Sequence, residues 1–299
     1  MNSVGLLIRN DFMLRQQVSY ICIFHSLQFC IFTKVLKVGD ASIIAKVLHF
    51  PVKHLVSKSG NNTQLNMNST NNKITIDIVS DVACPWCFVG KKRLEEALSQ
   101  LPDATTEIRW HPFQLDPTIP TEGVDRETYF NKKFGSGERV EEIYKHMDIV
   151  GKSVGIDFRF DKMKKAVNTL PFHNLLFVGR EDGNQDELKE HLFKAYFEQG
   201  VDFSQRQSYI DVMLAFGWPI EKTEETLDNK EIDYWVAKEI KHYQEQGVTG
   251  VPFFIFNNKY GFSGAQPPEV FVETITKIQA EMQPAAATGE ACDVETGEC

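Results

Sequence analysis

The stretch Asp81-Val82-Ala83-Cys84-Pro85-Trp86-Cys87-Phe88 decides the fold, because it places two cysteines between a strand pattern and a helix pattern. The strand pattern comes first, since Ile74, Ile76 and Ile78 alternate with polar residues. Leucines follow the cysteines at helical spacing. A C-x-x-C pair within an α/β pattern is typical of a redox centre. The sequence therefore predicts a dithiol at the start of a helix.

The two cysteines have different predicted roles. Cys84 is expected at or just before the first helical turn, where free N–H groups and the helix dipole stabilise a thiolate. Pro85 suits the first helical position, where an N–H is not needed. We expect Cys84 to attack a disulfide and Cys87 to resolve the mixed disulfide. Half of a zinc site is the alternative, but no second C-x-x-C or histidine pair has suitable spacing, so no metal is predicted.

The segments around the dithiol predict an α/β protein whose sheet is interrupted in sequence by helices. A second strand pattern runs from Glu107 to Leu115, and helical apolar stripes then follow one another until a β-β-α pattern returns. We expect a sheet domain made of residues 73–119 and 248–283. The residues between them, 120–247, are expected to form an all-helical insertion.

Composition and charge restrict the partners of the protein. With 42% hydrophobic and 24% charged residues, the chain has the composition of an ordinary globular protein. Its net charge of −9 argues against a nucleic-acid partner. The apolar run at residues 18–32 is short and contains polar side chains, so stable membrane insertion is not expected.

The two ends of the chain differ from the part between them. Residues 1–72 form an N-terminal extension with three interpretations: a start set too far upstream, with Met67 as the candidate start, a targeting or anchor segment, or a disordered extension. Residues 284–299 are predicted to be a flexible tail. Its Cys292 and Cys299 are either free thiols or an auxiliary redox pair. Acidic neighbours are expected to raise their thiol pKa.

Val251-Pro252 is the second candidate element of the site. It precedes the apolar run Phe253-Phe254-Ile255-Phe256, so from spacing alone it is an ordinary turn into a buried strand. Opposite a dithiol it is alternatively a cis-proline loop, in which the backbone of Val251 pairs with a bound peptide.

Four segments in sequence order resemble the DsbA-like thioredoxin superfamily, in its FrnE-like branch. The resemblance implies a thioredoxin-like fold with a large helical insertion, a nucleophilic Cys84, a resolving Cys87, a cis Pro252 and a cytoplasmic location. Related isomerases and kappa-class glutathione transferases tend to carry serine where this chain has Cys84, so the dithiol favours disulfide exchange. The four segments are residues 81–91, residues 110–117, Asn168-Thr169 with His173, and residues 247–254.

Several further residues are candidates for supporting roles. Asp77 and Asp81 precede the dithiol, and each is a candidate proton acceptor, although strand parity decides where Asp77 points and Asp81 alternatively stabilises the turn. For Asn168, Thr169 and His173 the alternative is a helix cap followed by a core or surface histidine. The residues expected to line the substrate groove are Pro85, Trp86, Asn168, Thr169, His173, Val251 and Pro252.

The leading function hypothesis is a thiol–disulfide oxidoreductase that acts on protein or small-molecule disulfides through a mixed disulfide. A glutathione-dependent isomerase or transferase and a redox-independent, chaperone-like binding protein are the alternatives. No tightly bound cofactor is expected, and glutathione or another thiol reductant is a candidate co-substrate. Protein thiols, disulfides or small thiols are the expected partners, and a homodimer is left open.

Overall fold

A computed structural model describes residues 73–283 of the protein. Within this range the strands form two sheets. A π-helical turn, Lys194–Glu198, continues the helix Gln185–Phe193. The elements in chain order are β1 Ile74–Ser80, α1 Pro85–Ser99, β2 Thr106–Pro112, β3 Val124–Asp125, α2 Arg126–Phe134, α3 Gly137–Ser153, β4 Lys165–Ala166, α4 Leu170–Glu181, α5 Gln185–Phe193, α6 Arg206–Phe216, α7 Ile220–Asp228, α8 Lys230–Glu245, β5 Phe253–Phe256, β6 Tyr260–Ser263 and α9 Pro268–Met282.

The main sheet has the strand order β2-β1-β5-β6. β1 runs parallel to β2, and β5 is antiparallel to both β1 and β6. Ile78 on the central strand β1 is opposite Trp110 on one side and Phe254 on the other. The strand that leads into the dithiol is therefore held by neighbours along both edges.

The two faces of this sheet carry different side chains because successive residues of a strand point in opposite directions. Ile74, Ile76 and Ile78 pack with Leu94 of α1 and Phe271 of α9 in one hydrophobic cluster. The alternate residues face the other side, where Val79 packs with Phe113 and Val248. Helix α1, and with it the dithiol, thus lies on the isoleucine face.

The dithiol is also part of the core of the inserted helices. Cys84, Cys87 and Phe88 belong to one cluster with buried residues of the insertion, such as Leu175 and Phe193. The rings of Phe88 and Phe193 stack with their centroids 4.9 Å apart. The insertion therefore forms one wall of the redox centre.

The predicted α/β fold with a helical insertion is confirmed, with two local differences. The segment predicted to be all helical also contains the short antiparallel pair β3–β4, in which Val124 pairs with Ala166. Strand β2 ends at Pro112 rather than at the predicted Leu115, because proline has no N–H with which to continue the strand pairing. The N–H of Leu115 donates to the carboxylate of Asp81 and not to a neighbouring strand. Among residues 73–283 no helix is long and apolar enough to span a membrane.

Candidate active site

The dithiol lies at the N-terminus of α1, directly opposite a cis-proline. Cys84 is the N-cap residue, and a proline follows it in the first turn. The Val251–Pro252 peptide bond is cis, as the resemblance predicted. The Cys84 thiol donates to the carbonyl oxygen of Val251 across 3.6 Å. Cys84 is 5% exposed and Cys87 is fully buried, so Cys84 is the outer of the two thiols.

Gly90 explains how the proline loop approaches the helix so closely. A Cβ atom at this position would lie 3.2 Å from Cγ of Pro252 and 3.1 Å from the ring of Phe254. Glycine within a helix normally costs stability. Here it allows α1 and the proline loop to pack against each other beside the thiols.

The two thiols titrate as a pair. The pKa of Cys84 is raised, first by its hydrogen bond to Cys87 and then by burial. Burial raises the pKa of Cys87, but a hydrogen bond from Cys84, the charge of Lys189 and the hydroxyl of Ser80 outweigh it and lower that pKa. The first proton is therefore lost more easily than from an isolated thiol, and the second with more difficulty. The predicted attacking thiol is Cys84; in the resting dithiol the hydrogen bond and the charge of Lys189 lower the pKa of its partner Cys87.

Asp81 is the carboxylate on the dithiol side. It is 1% exposed and accepts hydrogen bonds from the backbone N–H groups of Ala83, at 3.1 Å, and Leu115, at 2.7 Å. Nε2 of His173 donates to the carbonyl oxygen of Phe113 and lies 3.7 Å from a carboxylate oxygen of Asp81. Burial raises the pKa of Asp81, but His173 and the two N–H groups outweigh it and lower that pKa. Asp81 is thus a stable anion that organises the turn before Cys84.

Asp77 points away from the dithiol, so strand parity excludes it from the cluster around the thiols. It alternates with Ile76 and Ile78, and its carboxylate pairs with Arg109 at 2.8 Å and with Nε2 of His111 at 2.7 Å. Nδ1 of His111 lies 2.5 Å from Glu239 of α8. This network joins β1 and β2 to α8 on the opposite face of the sheet.

The groove candidates of the insertion have structural partners. Oδ1 of Asn168 accepts from the N–H of Leu170 at 2.9 Å, and its Nδ2 donates to the carbonyl oxygen of Ile119 at 2.7 Å. Asn168 therefore fastens the start of α4, as the capping alternative proposed. Thr169 is buried, and together with Asp81 and Ala83, the residue before Cys84, it lines an open pocket of about 50 Å³.

The remaining predicted residues have the following positions. Pro85 and Trp86 are half-buried, and the Trp86 ring lies 6.0 Å from the ring of His146 on α3. Cys292 and Cys299 lie outside the described residues. Within residues 73–283 no group of three or more His, Cys, Asp or Glu residues is placed to hold a metal ion.

Lys189 is the member of the site that sequence analysis missed. It lies on α5, is 1% exposed, and its charge lowers the pKa of Cys87. Its local sequence, Asp186-Glu187-Leu188-Lys189-Glu190, is rich in charge and typical of a solvated helix face. One local feature indicates that Lys189 is buried: the apolar Phe193 lies four residues further along α5, and residues four apart lie on the same face of a helix.

The fold and site together define a thioredoxin-fold protein with a helical insertion and a buried dithiol opposite a cis-proline. A model of the DSBA-like thioredoxin domain matches residues 75–276. The chain therefore belongs to the DSBA-like thioredoxin domain family, and its predicted resemblance to the DsbA-like thioredoxin superfamily is confirmed.

Individual proteins extend this comparison. "Uncharacterized protein YwbO" of Bacillus subtilis (strain 168) is 24% identical over 211 residues, which are 69% of this chain and 98% of that protein. The crystal structure of a probable DsbA oxidoreductase from Streptomyces coelicolor is 28% identical, with a TM-score of 0.66 over 74% of this chain and 97% of that chain. A 2-hydroxychromene-2-carboxylate isomerase, 13% identical, has a TM-score of 0.54 over 70% of this chain and 100% of that chain, and shares the fold alone. The family and the Streptomyces structure support an enzyme of oxidoreductase type.

Proposed function

We propose that the protein is a thiol–disulfide oxidoreductase that acts on protein or small-molecule disulfides through Cys84 and Cys87. One observation carries the proposal: the outer thiol, at the N-cap of α1, lies 3.6 Å from the carbonyl oxygen that precedes a cis-proline. In this arrangement the backbone of Val251 lies beside the attacking sulfur. An extended substrate segment that paired with this backbone would bring its disulfide to Cys84.

The exchange proceeds in two displacements. The Cys84 thiolate attacks one sulfur of the substrate disulfide, and the other substrate sulfur leaves as a thiolate. The Cys87 thiolate then attacks Cys84, forms the internal disulfide and releases the second substrate thiol. In the singly ionised pair the two thiols share one proton, and its transfer from Cys84 to Cys87 gives the Cys84 thiolate for the first displacement. Cys87 loses this proton before the second displacement. The dithiol loses two electrons and the substrate disulfide gains them; the reverse sequence oxidises a substrate dithiol.

Trapping the mixed disulfide tests this function. A Cys87→Ala variant, mixed with a disulfide-bonded peptide, is expected to retain a covalent peptide adduct on Cys84, detected by intact mass and lost on reduction. A Cys84→Ser variant is the control and is expected to form no adduct and to lose disulfide reductase activity. Undiminished turnover by Cys84→Ser would refute the proposal. It would favour the glutathione-dependent isomerase or transferase, which shares the fold.

The expected partners and the other site residues complete the proposal. Trp86 and Thr169 are assigned to substrate binding together with the Val251-Pro252 loop, while the buried His173 supports Asp81. Glutathione or another small thiol is the proposed electron donor. No tightly bound cofactor is needed, because both displacements use only sulfur. The proposed cytoplasmic location rests on the resemblance to the FrnE-like branch, and cell fractionation tests it.

The tail cysteines are assigned an auxiliary role as an electron relay to the dithiol. The combined substitution Cys292→Ser and Cys299→Ser is expected to slow reductase turnover with a small-thiol donor, while trapping by Cys87→Ala continues. Unchanged turnover would remove the relay from the proposal but leave the dithiol chemistry intact.

A further inference from the structure

Lys189 is a buried cation without a carboxylate beside it. No carboxylate of residues 73–283 lies within 4.0 Å of its Nζ. Buried charges are normally paired and hydrogen-bonded, since an isolated one loses its hydration without compensation. The Nζ atom lies instead 4.8 Å from the ring centroid of Phe193 and 5.1 Å from that of Trp110. These aromatic faces offset part of the loss, but they carry no counter-charge.

A second lysine shows the usual solution in the same region. Lys91 on α1 is 3% exposed, and its ammonium contacts Glu95, Asp186 at 3.0 Å and Glu190 at 3.7 Å. Lys91 therefore has matched charges and joins α1 to α5. Lys189 has no such neighbours, so its burial needs another explanation.

The aromatic ring beside Lys189 connects it to the dithiol, because the ring of Phe193 stacks on that of Phe88, the residue after Cys87, with the centroids 4.9 Å apart. Burial lowers the pKa of Lys189, and the charges of Cys87, Asp81, Cys84 and Asp186 raise it. Burial has the larger effect, so the pKa is lowered to about 8. Ser80, which precedes Asp81, has a fully buried hydroxyl without a hydrogen-bond partner among the described residues. Lys189 also lines a small cavity, whose other titratable members are His111, His173, Arg180 and Glu239.

We propose that Lys189 is a positioning residue of the redox reaction, the fixed cation that holds the inner thiol of the dithiol as a thiolate. The inference rests on the proposed oxidoreductase function and assigns a residue of the helical insertion to it. Ser80, Asp81, Cys84, Cys87, His173 and Lys189 are each at most 5% exposed, so bulk water does little to screen their charges.

The step that Lys189 assists is the resolution of the mixed disulfide. Cys87 releases its proton to solvent and becomes a thiolate opposite the ammonium of Lys189. The Cys87 sulfur forms a bond with the Cys84 sulfur, the bond between Cys84 and the substrate sulfur breaks, and its electron pair leaves with the substrate thiolate. The substrate disulfide is the oxidant, and Lys189 keeps its own proton throughout. A cation that stabilises the attacking thiolate increases its population at neutral pH.

The substitution Lys189→Met tests this assignment, because it keeps the length of the side chain and removes the charge. We expect the first pKa of the reduced dithiol to rise by about one unit or more, measured from the ultraviolet absorbance of the thiolate as a function of pH. The matched control is Lys91→Met, which removes an equally buried ammonium. It is expected to lower stability while the thiolate titration stays near that of the wild type. An unchanged titration in folded Lys189→Met, or an equal shift in both variants, would overturn the proposal.

A measurement on the unsubstituted protein covers the case in which Lys189→Met does not fold. Coupling is reciprocal, so a thiolate that Lys189 stabilises must in turn raise the pKa of Lys189. NMR titration of the lysine ε-carbons, with Lys189 assigned by Lys189→Arg, is expected to give a higher pKa in the reduced than in the oxidised protein. The same pKa in both redox states would overturn the proposal. Neither titration requires a substrate, so failed disulfide exchange with the expected titrations would refute the proposed function alone.

Discussion

The substitution Asp81→Asn separates the structural contribution of this carboxylate from its effect on the thiols. The two carboxylate oxygens accept from the N–H groups of Ala83 and Leu115. Asparagine has one oxygen and one NH₂ group, so one of these N–H groups would face another donor. The loss of a hydrogen bond to a charged group costs about 1.5–3 kcal/mol. At about 2–4 °C per kcal/mol for a domain of this size, the melting temperature should fall by about 3–12 °C.

The stability loss should depend on pH. The pKa of Asp81 is lower in the folded protein than its ordinary value, despite burial, because His173 and two N–H groups stabilise the anion. The stabilisation is therefore complete above the unfolded pKa, about 4, and is lost as the pH falls through the lower folded pKa. Urea unfolding over a pH series should show the full deficit of Asp81→Asn at neutral pH and a smaller one in acid.

The same substitution should make the dithiol more acidic. The negative charge of Asp81 contributes to the raised pKa of Cys84, so its removal should lower that pKa and accelerate alkylation of the reduced protein by iodoacetamide. Asp77→Asn is the matched control, since Asp77 is also buried, at 4% exposure, and its pKa is also lowered. It should lose stability in the same pH-dependent way without changing the thiol titration. Equal thiol shifts in both variants, or a deficit of Asp81→Asn that is constant with pH, would refute the reasoning.

Substitutions at three other positions test the packing and the second charge network, which joins Asp77, His111 and Glu239. Gly90→Val should cost about 1–3 kcal/mol of unfolding free energy and slow mixed-disulfide formation, because its side chain would displace Pro252 and Phe254; Gly90→Ala should cost less, since alanine is the better helix former by about 1 kcal/mol. Gly151→Ala should lower stability in calorimetry, because its Cβ would lie 2.5 Å from the ring of Phe158. Burial lowers the pKa of His111, but Asp77 and Glu239 outweigh burial and raise that pKa. The stability that protonated His111 contributes to the fold is therefore complete below its unfolded pKa, about 6.5, and is lost as the pH rises through its folded pKa. Glu239→Gln should reduce this alkaline loss in urea unfolding, and an unchanged pH dependence would contradict the role of Glu239.

Local sequence predicted the elements that depend on short-range patterns. The alternation of Ile74, Ile76 and Ile78 predicted β1, and Pro85 predicted a helix start at the dithiol. The pairing of Val251-Pro252 with the dithiol required the family resemblance, since spacing alone favoured an ordinary turn. The strand β1 and the helix start were predictable because each depends on a few residues that are close together in the chain.

The environment of the thiols could not be predicted in this way. Lys189 and His173 approach the dithiol from the insertion, and their positions depend on how α4 and α5 pack against α1. The direction of Asp77 was undecided because a one-residue difference in register reverses the face of a strand residue. The thiolate was predicted at Cys84 because the helix terminus is a local feature, whereas the opposing cation is distant in sequence.

The insertion therefore sets the chemistry of a motif that belongs to the sheet domain. An ammonium that stabilises a thiolate stabilises the reduced protein, because the disulfide has no charge on which it can act. One pKa unit corresponds to about 1.4 kcal/mol, which equals about 30 mV for a two-electron couple. At a pH above the thiol pKa, Lys189 thus shifts the Cys84–Cys87 couple in the oxidising direction, and Asp81 shifts it in the reducing direction. Substitution at either position should therefore shift the reduction potential of the Cys84–Cys87 couple, in opposite directions, while the C-x-x-C motif stays the same.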